Sequence, residues 1–185
     1  MAKTTYLALL RGINVGGNAR VEMSRLKQAF ERIGLANVTT YINSGNVIFQ
    51  SDKDTKELVT AIENEIKKEF GLDVPVVIRS LKQMQVVSKA LPVSWLNNSE
   101  VRTDVLFLWE DVATPDIMNQ IVTRPEIDNV KYIDGTILWH VTRPNQTKSG
   151  LLKVIGTPLY KRMSVRNANT VRKLCELMEA VEYGH

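Results

Sequence analysis

The sequence predicts an α+β protein made of two ferredoxin-like (split βαβ) subdomains, the second degraded and extended by a C-terminal helix. Three observations predict it. Residues 1–80 order as strand, helix, strand, strand, helix, strand. A weaker copy of that succession recurs after residue 103, and an amphipathic run towards Ala180 remains at the end. The implied division is a subdomain over 1–80, a linking helix and connector over 81–103, and a second α+β subdomain over 104–185.

In chain order, the first four strands are Thr5 to Leu10, Val38 to Ile42, Asn46 to Phe49 and Val74 to Arg79. The first helix carries Met23, Leu26, Phe30 and Ile33 at spacings of three and four and stops at Gly34. Asp54 with Glu57 three residues on marks the start of the second, whose apolar face is Leu58, Ile62 and Ile66 and whose end is Gly71. Ser80 to Leu91 reads as the linking helix, closed by Pro92, and a polar connector containing Trp95 follows to Thr103. The second half continues with a strand Val105 to Trp109 and a helix with Thr114 as N-cap, Pro115 at its first position and Ile117 and Ile121 on its face. Val130 to Ile133 and Thr136 to Val141 are joined by Asp134-Gly135, a two-residue hairpin signal. A helical region from Ser149 to Tyr160 is interrupted at Gly156-Thr157-Pro158; Ser164 to Asn167 forms a short strand, and the last helix starts near Asn169 or Thr170.

The strands are apolar on both faces: Tyr6, Ala8 and Leu10 against Leu7 and Leu9, and Val47 and Phe49 against Ile48. An antiparallel sheet with one wet face alternates, so the second face is expected to be covered, with the second half of the chain as the candidate cover. Exposed strand aromatics for base stacking are not expected, which argues against RNA recognition of that type. A face left bare would favour a homodimer.

Composition narrows the function. The chain has 185 residues, 44% of them hydrophobic, ample for packed cores. Its start lacks a signal-peptide pattern and no apolar run approaches the roughly 18 residues of a span, so a cytoplasmic protein without a membrane partner is expected. The single cysteine, Cys175, excludes an internal disulfide and a thiolate cluster; on the stripe Val171, Leu174, Cys175, Met178 it reads as a buried small hydrophobe. Histidines are confined to His140 and His185, so no nucleophile–base–acid triad is available. No metal-ligand spacing and no cofactor fingerprint occurs, and Gly12, Gly16 and Gly17 match neither nucleotide-binding glycine pattern. From Arg143 to Lys173 there are eight basic residues and no acidic one; removing those charges from the net +4 leaves −4 for the rest. Such a stretch suits a polyanion, and equally a solvated face.

The candidate ligand residues lie in two turns. Arg11 to Arg20 joins the first strand to the first helix, and its glycines permit positive φ and close approach of backbone N–H groups to an anion. In a ferredoxin-like sheet this turn and the hairpin Asn43-Ser44-Gly45-Asn46 lie at the same end. Arg11, Gly12, Asn14, Gly16, Gly17 and Asn18 on one side, with Arg20 closing the turn, and Ser44 and Asn46 on the other, form the expected site. Arg166 and Asn167, just before a helix start, form a second cluster. Each residue type also serves plain turn geometry, caps or ion pairs.

The segments LALLRGINVGGNARVEMSRL, TYINSGNVIFQS and MSVRNANTVRKL carry a resemblance. Together, and in this order, they resemble a bacterial family known only as a domain of unknown function, number sixteen ninety-seven, over Tyr6 to about Leu177. The resemblance implies a two-part α+β protein with ferredoxin-like subdomains, and it implies no reaction, cofactor or catalytic residue. It places Arg11, Gly12, Asn14, Gly16, Gly17, Ser44, Gly45 and Asn46 in the two N-terminal signatures and Arg166, Asn167 and Thr170 in the C-terminal one. Three functions stay open: binding of a phosphorylated small molecule or nucleic-acid backbone, an enzyme with a site between the halves and Glu22 or Asp104 as a base, and a structural or interaction domain.

Overall fold

The computed structural model describes residues 2–17 and 19–184. They form an α+β protein with two four-stranded antiparallel sheets. Contacts divide the chain into two compact units: residues up to Lys82 together with those from Leu174 onward, and Gln83–Lys173.

In the first unit the order is β1 (Thr4–Leu10), α1 (Met23–Arg32), β2 (Ala36–Tyr41), β3 (Asn46–Ser51), α2 (Thr55–Phe70) and β4 (Val76–Ser80). The sheet runs β2-β3-β1-β4, the ferredoxin-like order. The predicted capping box is made: Glu57 N–H donates to Asp54 at 2.9 Å and Asp54 N–H to the Glu57 carboxylate at 3.4 Å. Gly71, at φ 68°, closes the helix in the left-handed conformation that glycine adopts without strain. Leu10, Val47 and Phe49 of the sheet are buried with Leu26, Phe30 and Ile62 of the helices. Complete burial of such side chains contributes about 1.5–3 kcal/mol each. The opposite face is buried too, since Leu7, Leu9 and Ile48 expose nothing, as the doubly apolar strands predicted. The Thr5 hydroxyl donates to the Glu182 carboxylate, tying β1 to the end of the chain's last helix.

A helix α3 (Leu81–Ala90) follows, then β5 (Val101–Leu108), β6 (Asn129–Ile133), β7 (Thr136–Thr142), α4 (Leu151–Ile155), β8 (Met163–Asn167) and α5 (Ala168–Tyr183). The second sheet, β6-β7-β5-β8, repeats the order of the first. Strand β5 begins earlier than expected because Asn98 takes the N–H groups of Glu100 and Val101 on its side chain and turns the connector into the ladder. The helix expected after Thr114 is instead a 3-10 turn, Pro115–Asn119, in which the Thr114 hydroxyl makes no capping bond. Two apolar anchors, Ile117 and Ile121, before Pro125 are too few to stabilise an α-helix. The helical region near residue 150 divides into α4 and a 3-10 turn at Pro158–Arg162, where Pro158 was expected to break it. A further 3-10 turn, Arg143–Lys148, had no counterpart in the sequence reading.

Buried Asp128 organises this unit. Its Oδ1 accepts from Ser149 Oγ at 2.6 Å and Trp139 Nε1 at 3.2 Å, and its Oδ2 from the N–H groups of Arg124 at 2.8 Å and Gly150 at 2.9 Å. Burial pushes the carboxyl up, but these donors together outweigh it and hold the group below its ordinary value. Gly150 is required by close approach, since a Cβ there would lie 1.9 Å from the Val122 carbonyl oxygen.

No helix among the described residues is long and apolar enough to cross a membrane.

Candidate functional site

The two glycine-rich turns of the first unit meet. Leu10 N–H donates to the Gly45 carbonyl at 2.9 Å, and Asn14 Nδ2 donates to the carbonyls of Asn43 at 2.8 Å and Val21 at 2.9 Å. Asn14 Oδ1 accepts from Val21 N–H at 2.8 Å, so one amide side chain staples the first turn to itself and to the hairpin. Asn14 can do this because it stands at φ 55°, a conformation asparagine tolerates. Gly45 sits at φ 77° with Leu10 and Ile13 so near that a Cβ would approach to 2.7 Å and 2.8 Å.

Between the turns lies a cavity of about 500 Å³ lined by Asn14, Gly17, Arg20, Glu22, Met23 and Asn43, with Val21. The N-terminus of α1 opens there, and Glu22, its N-cap residue, makes no side-chain capping bond; its carboxylate accepts instead from Ser24 Oγ at 2.5 Å. The first turn of α1 therefore has no capping side chain where Glu22 and Met23 line the cavity. Arg20 is exposed and makes no hydrogen bond or ion pair among the described residues. Each turn also carries one exposed apolar side chain, Val15 at 59% and Ile42 at 51%. Ile42 holds φ 51°, a strained conformation for a β-branched residue and of the kind that gathers at functional sites.

The predicted residues fare differently. Gly12, Gly16 and Gly17 are exposed at positive φ with open space around them, so backbone conformation and not crowding requires glycine there. Arg11 is half-buried at the end of β1, where its N–H donates to the Pro75 carbonyl. Asn46 is fully buried, its amide donating to the Tyr41 carbonyl at 3.1 Å and Ser44 Oγ at 3.0 Å. Asn14, Ser44 and Asn46 thus work inside the turns, and Asn18 lies outside the described residues. Asn43 lines the cavity although the sequence pointed to its hairpin neighbours, and Glu22, which the sequence offered as a candidate base, lines it too. Asn43 had one signal, its place in the Asn-Ser-Gly-Asn hairpin.

Arg166 and Asn167 belong to the second unit. Asn167 caps α5, accepting from Thr170 N–H at 2.9 Å. The Arg166 guanidinium is largely buried and donates to the Val165 carbonyl at 2.8 Å and Ser164 Oγ at 3.2 Å; burial lowers its pKa to about 10, leaving it charged at neutral pH. The acid-free stretch is also partly consumed by the fold. Arg143 bonds the Asn98 carbonyl at 2.9 Å, Arg172 holds the carbonyls of Trp95 and Pro92 at 3.0 Å and 2.8 Å, and Arg162 pairs with Asp111 at 2.6 Å. Lys148, Lys153, Lys161 and Lys173 remain exposed. Among the described residues no group of three or more His, Cys, Asp or Glu side chains is placed to hold a metal.

A family described as protein of unknown function (DUF1697) matches residues 3–139, a span that contains both turns and stops before Arg166. The solved structure of a conserved bacterial protein from Streptococcus pneumoniae is similar over 96% of this chain and 99% of that one, with 27% identity and a TM-score of 0.82. No curated protein matches the chain.

Proposed function

We propose that this chain, which belongs to the DUF1697 family, binds a small phosphorylated or otherwise anionic ligand in the cleft between its two N-terminal turns. The observation that carries the reading is Arg20 on the cavity wall beside the uncapped start of α1. A guanidinium and a helix N-terminus together favour a phosphate or carboxylate. Glu22 on the same wall disfavours a bare polyanion and suits a ligand with a hydroxyl near its anionic group, as a nucleotide or sugar phosphate has. Exposed Val15 and Ile42 offer apolar surface for the ligand's body.

The test is the thermal midpoint against mononucleotides, sugar phosphates, inorganic phosphate and short RNA at two salt concentrations. A ligand of the folded state at a hundredfold excess over its dissociation constant adds about 2.7 kcal/mol. Arg20→Ala should weaken that ligand by roughly 10–150-fold, the worth of about 1.5–3 kcal/mol for a hydrogen bond to a charged group. A rise with RNA alone, lost at higher salt, would move the function to the exposed lysines of the second unit. No rise with any of them would leave the turns as structure only.

A further inference from the structure

The second unit leaves one sheet edge open. Strand β6 is the outer strand of its sheet and pairs only with β7. The hairpin turn Asp134-Gly135 has positive φ at both residues, 45° and 71°, so Ile133 and Thr136 form its hydrogen-bonded closing pair. Antiparallel alternation then turns the N–H and C=O groups of Asn129, Lys131 and Ile133 towards β7 and those of Val130 and Tyr132 outward. The outward groups meet no backbone or side-chain partner among the described residues. The first unit treats its matching edge differently. There β2 breaks register between Ala36 and Thr39, with Asn37 at φ 49°, a bulge that blunts strand addition.

Beside β6 lies a cavity of about 340 Å³ whose walls include Trp95, Met118, Pro125, Val130 and Lys131. Its aromatic wall is held in place. Trp95 stacks on His140 at 5.0 Å, His140 is bonded to Thr103 Oγ1 at 2.8 Å, and Arg172 grips the Trp95 carbonyl at 3.0 Å. The Lys131 ammonium lies 5.0 Å from the Trp95 ring centroid, at the middle of the open strand.

We propose that β6 receives an extended segment of a partner protein as a fifth strand, with an acidic residue facing Lys131 and an apolar side chain in the Trp95–Met118 cavity. Backbone pairing through Val130 and Tyr132 would supply affinity, and the charge and the cavity would select sequence. A second copy does not fit. Two β6 strands joined through Val130 and Tyr132 about a two-fold axis would set Lys131 directly against Lys131, an unfavourable pairing of like charges.

The experiment is selection of a displayed heptapeptide library on the full chain, followed by calorimetry of the enriched peptides. Peptides with an acidic residue two positions from an apolar one are expected, since Lys131 and Trp95 share a face of the sheet. Val130→Pro removes an outward N–H and no β6–β7 bond, a change an edge strand tolerates, and should weaken binding at least tenfold. N-methylation of the peptide backbone at the pairing position should do the same without touching the protein, and Lys131→Glu should shift selection to basic peptides. The proposal is overturned by a library without a consensus, by binding indifferent to both Val130→Pro and N-methylation, or by sedimentation showing a dimer that Val130→Pro dissolves.

Discussion

Removing the Asp128 carboxylate tests the reading of the second unit most directly. In Asp128→Ala the N–H groups of Arg124 and Gly150 lose their acceptor, and the Ser149 hydroxyl loses its own. Trp139 Nε1 keeps a bond to Ser149 Oγ at 3.2 Å. A buried donor left without a partner costs about 1–3 kcal/mol, so the Gly150 N–H and the Ser149 hydroxyl, both in buried bonds, set a loss of about 2–6 kcal/mol, to which the part-buried Arg124 N–H adds less. Asp128→Asn retains one oxygen, enough for one edge of the network, and should cost about half as much. For a chain of this size each kcal/mol moves the thermal midpoint by about 2–4 °C, which puts the alanine variant roughly 10 °C low. Urea unfolding followed by tryptophan fluorescence measures it, with Trp139 as a reporter inside the network. The pH dependence supplies a second check. The folded carboxyl titrates below its ordinary value, so its contribution is complete above the unfolded value of about 3.9 and is lost as pH falls through the folded one. Both variants should lack that acid-side loss. An alanine variant within 0.5 kcal/mol of the parent, about the scatter of an uninvolved surface site, would refute the assignment.

Two further outcomes test the turns. Gly45→Ala combines positive φ with approaches of 2.7 Å and 2.8 Å to Leu10 and Ile13, so it should cost about 2–4 kcal/mol, whereas Gly12→Ala, with nothing within 4 Å, should cost only about 1–2 kcal/mol of backbone strain. Equal costs in urea titrations would count against crowding at Gly45. Ile42→Gly relieves φ 51° and should gain about 1 kcal/mol in stability while weakening any ligand that uses its side chain. A loss of stability would mean that the isoleucine's contacts outweigh its strain.

Elements set by neighbours in sequence were legible. The Asp54–Glu57 box, the Gly71 cap and the Asp134-Gly135 turn each depend on a few adjacent residues, and each stands where the residue pattern put it. Strand order in the first unit followed from the succession of elements, and with it the meeting of the two turns. Less of the site was legible, because a polar side chain's partner is a long-range matter. Asn14 reads as a ligand until the carbonyls of Val21 and Asn43 are seen to occupy it, and Asn167 until Thr170 does. Asp128, in an ordinary-looking Ile-Asp-Asn loop, gave no sign that Ser149 and Gly150 would converge on it. The 3-10 turn at Pro115 escaped because Thr and Pro at a helix start look alike whether or not enough apolar residues follow.

The first unit is discontinuous in sequence, since residues from Leu174 onward complete it and the Thr5–Glu182 bond joins positions near opposite ends of the chain. On a ribosome, the roughly ninety residues of the second unit must be made before that closing piece exists. At about 5–20 residues per second that is a delay of roughly 5–20 s. Through that interval Thr5 of β1 lacks its Glu182 partner, so the nascent chain carries an incomplete first unit for as long as the second unit takes to be made.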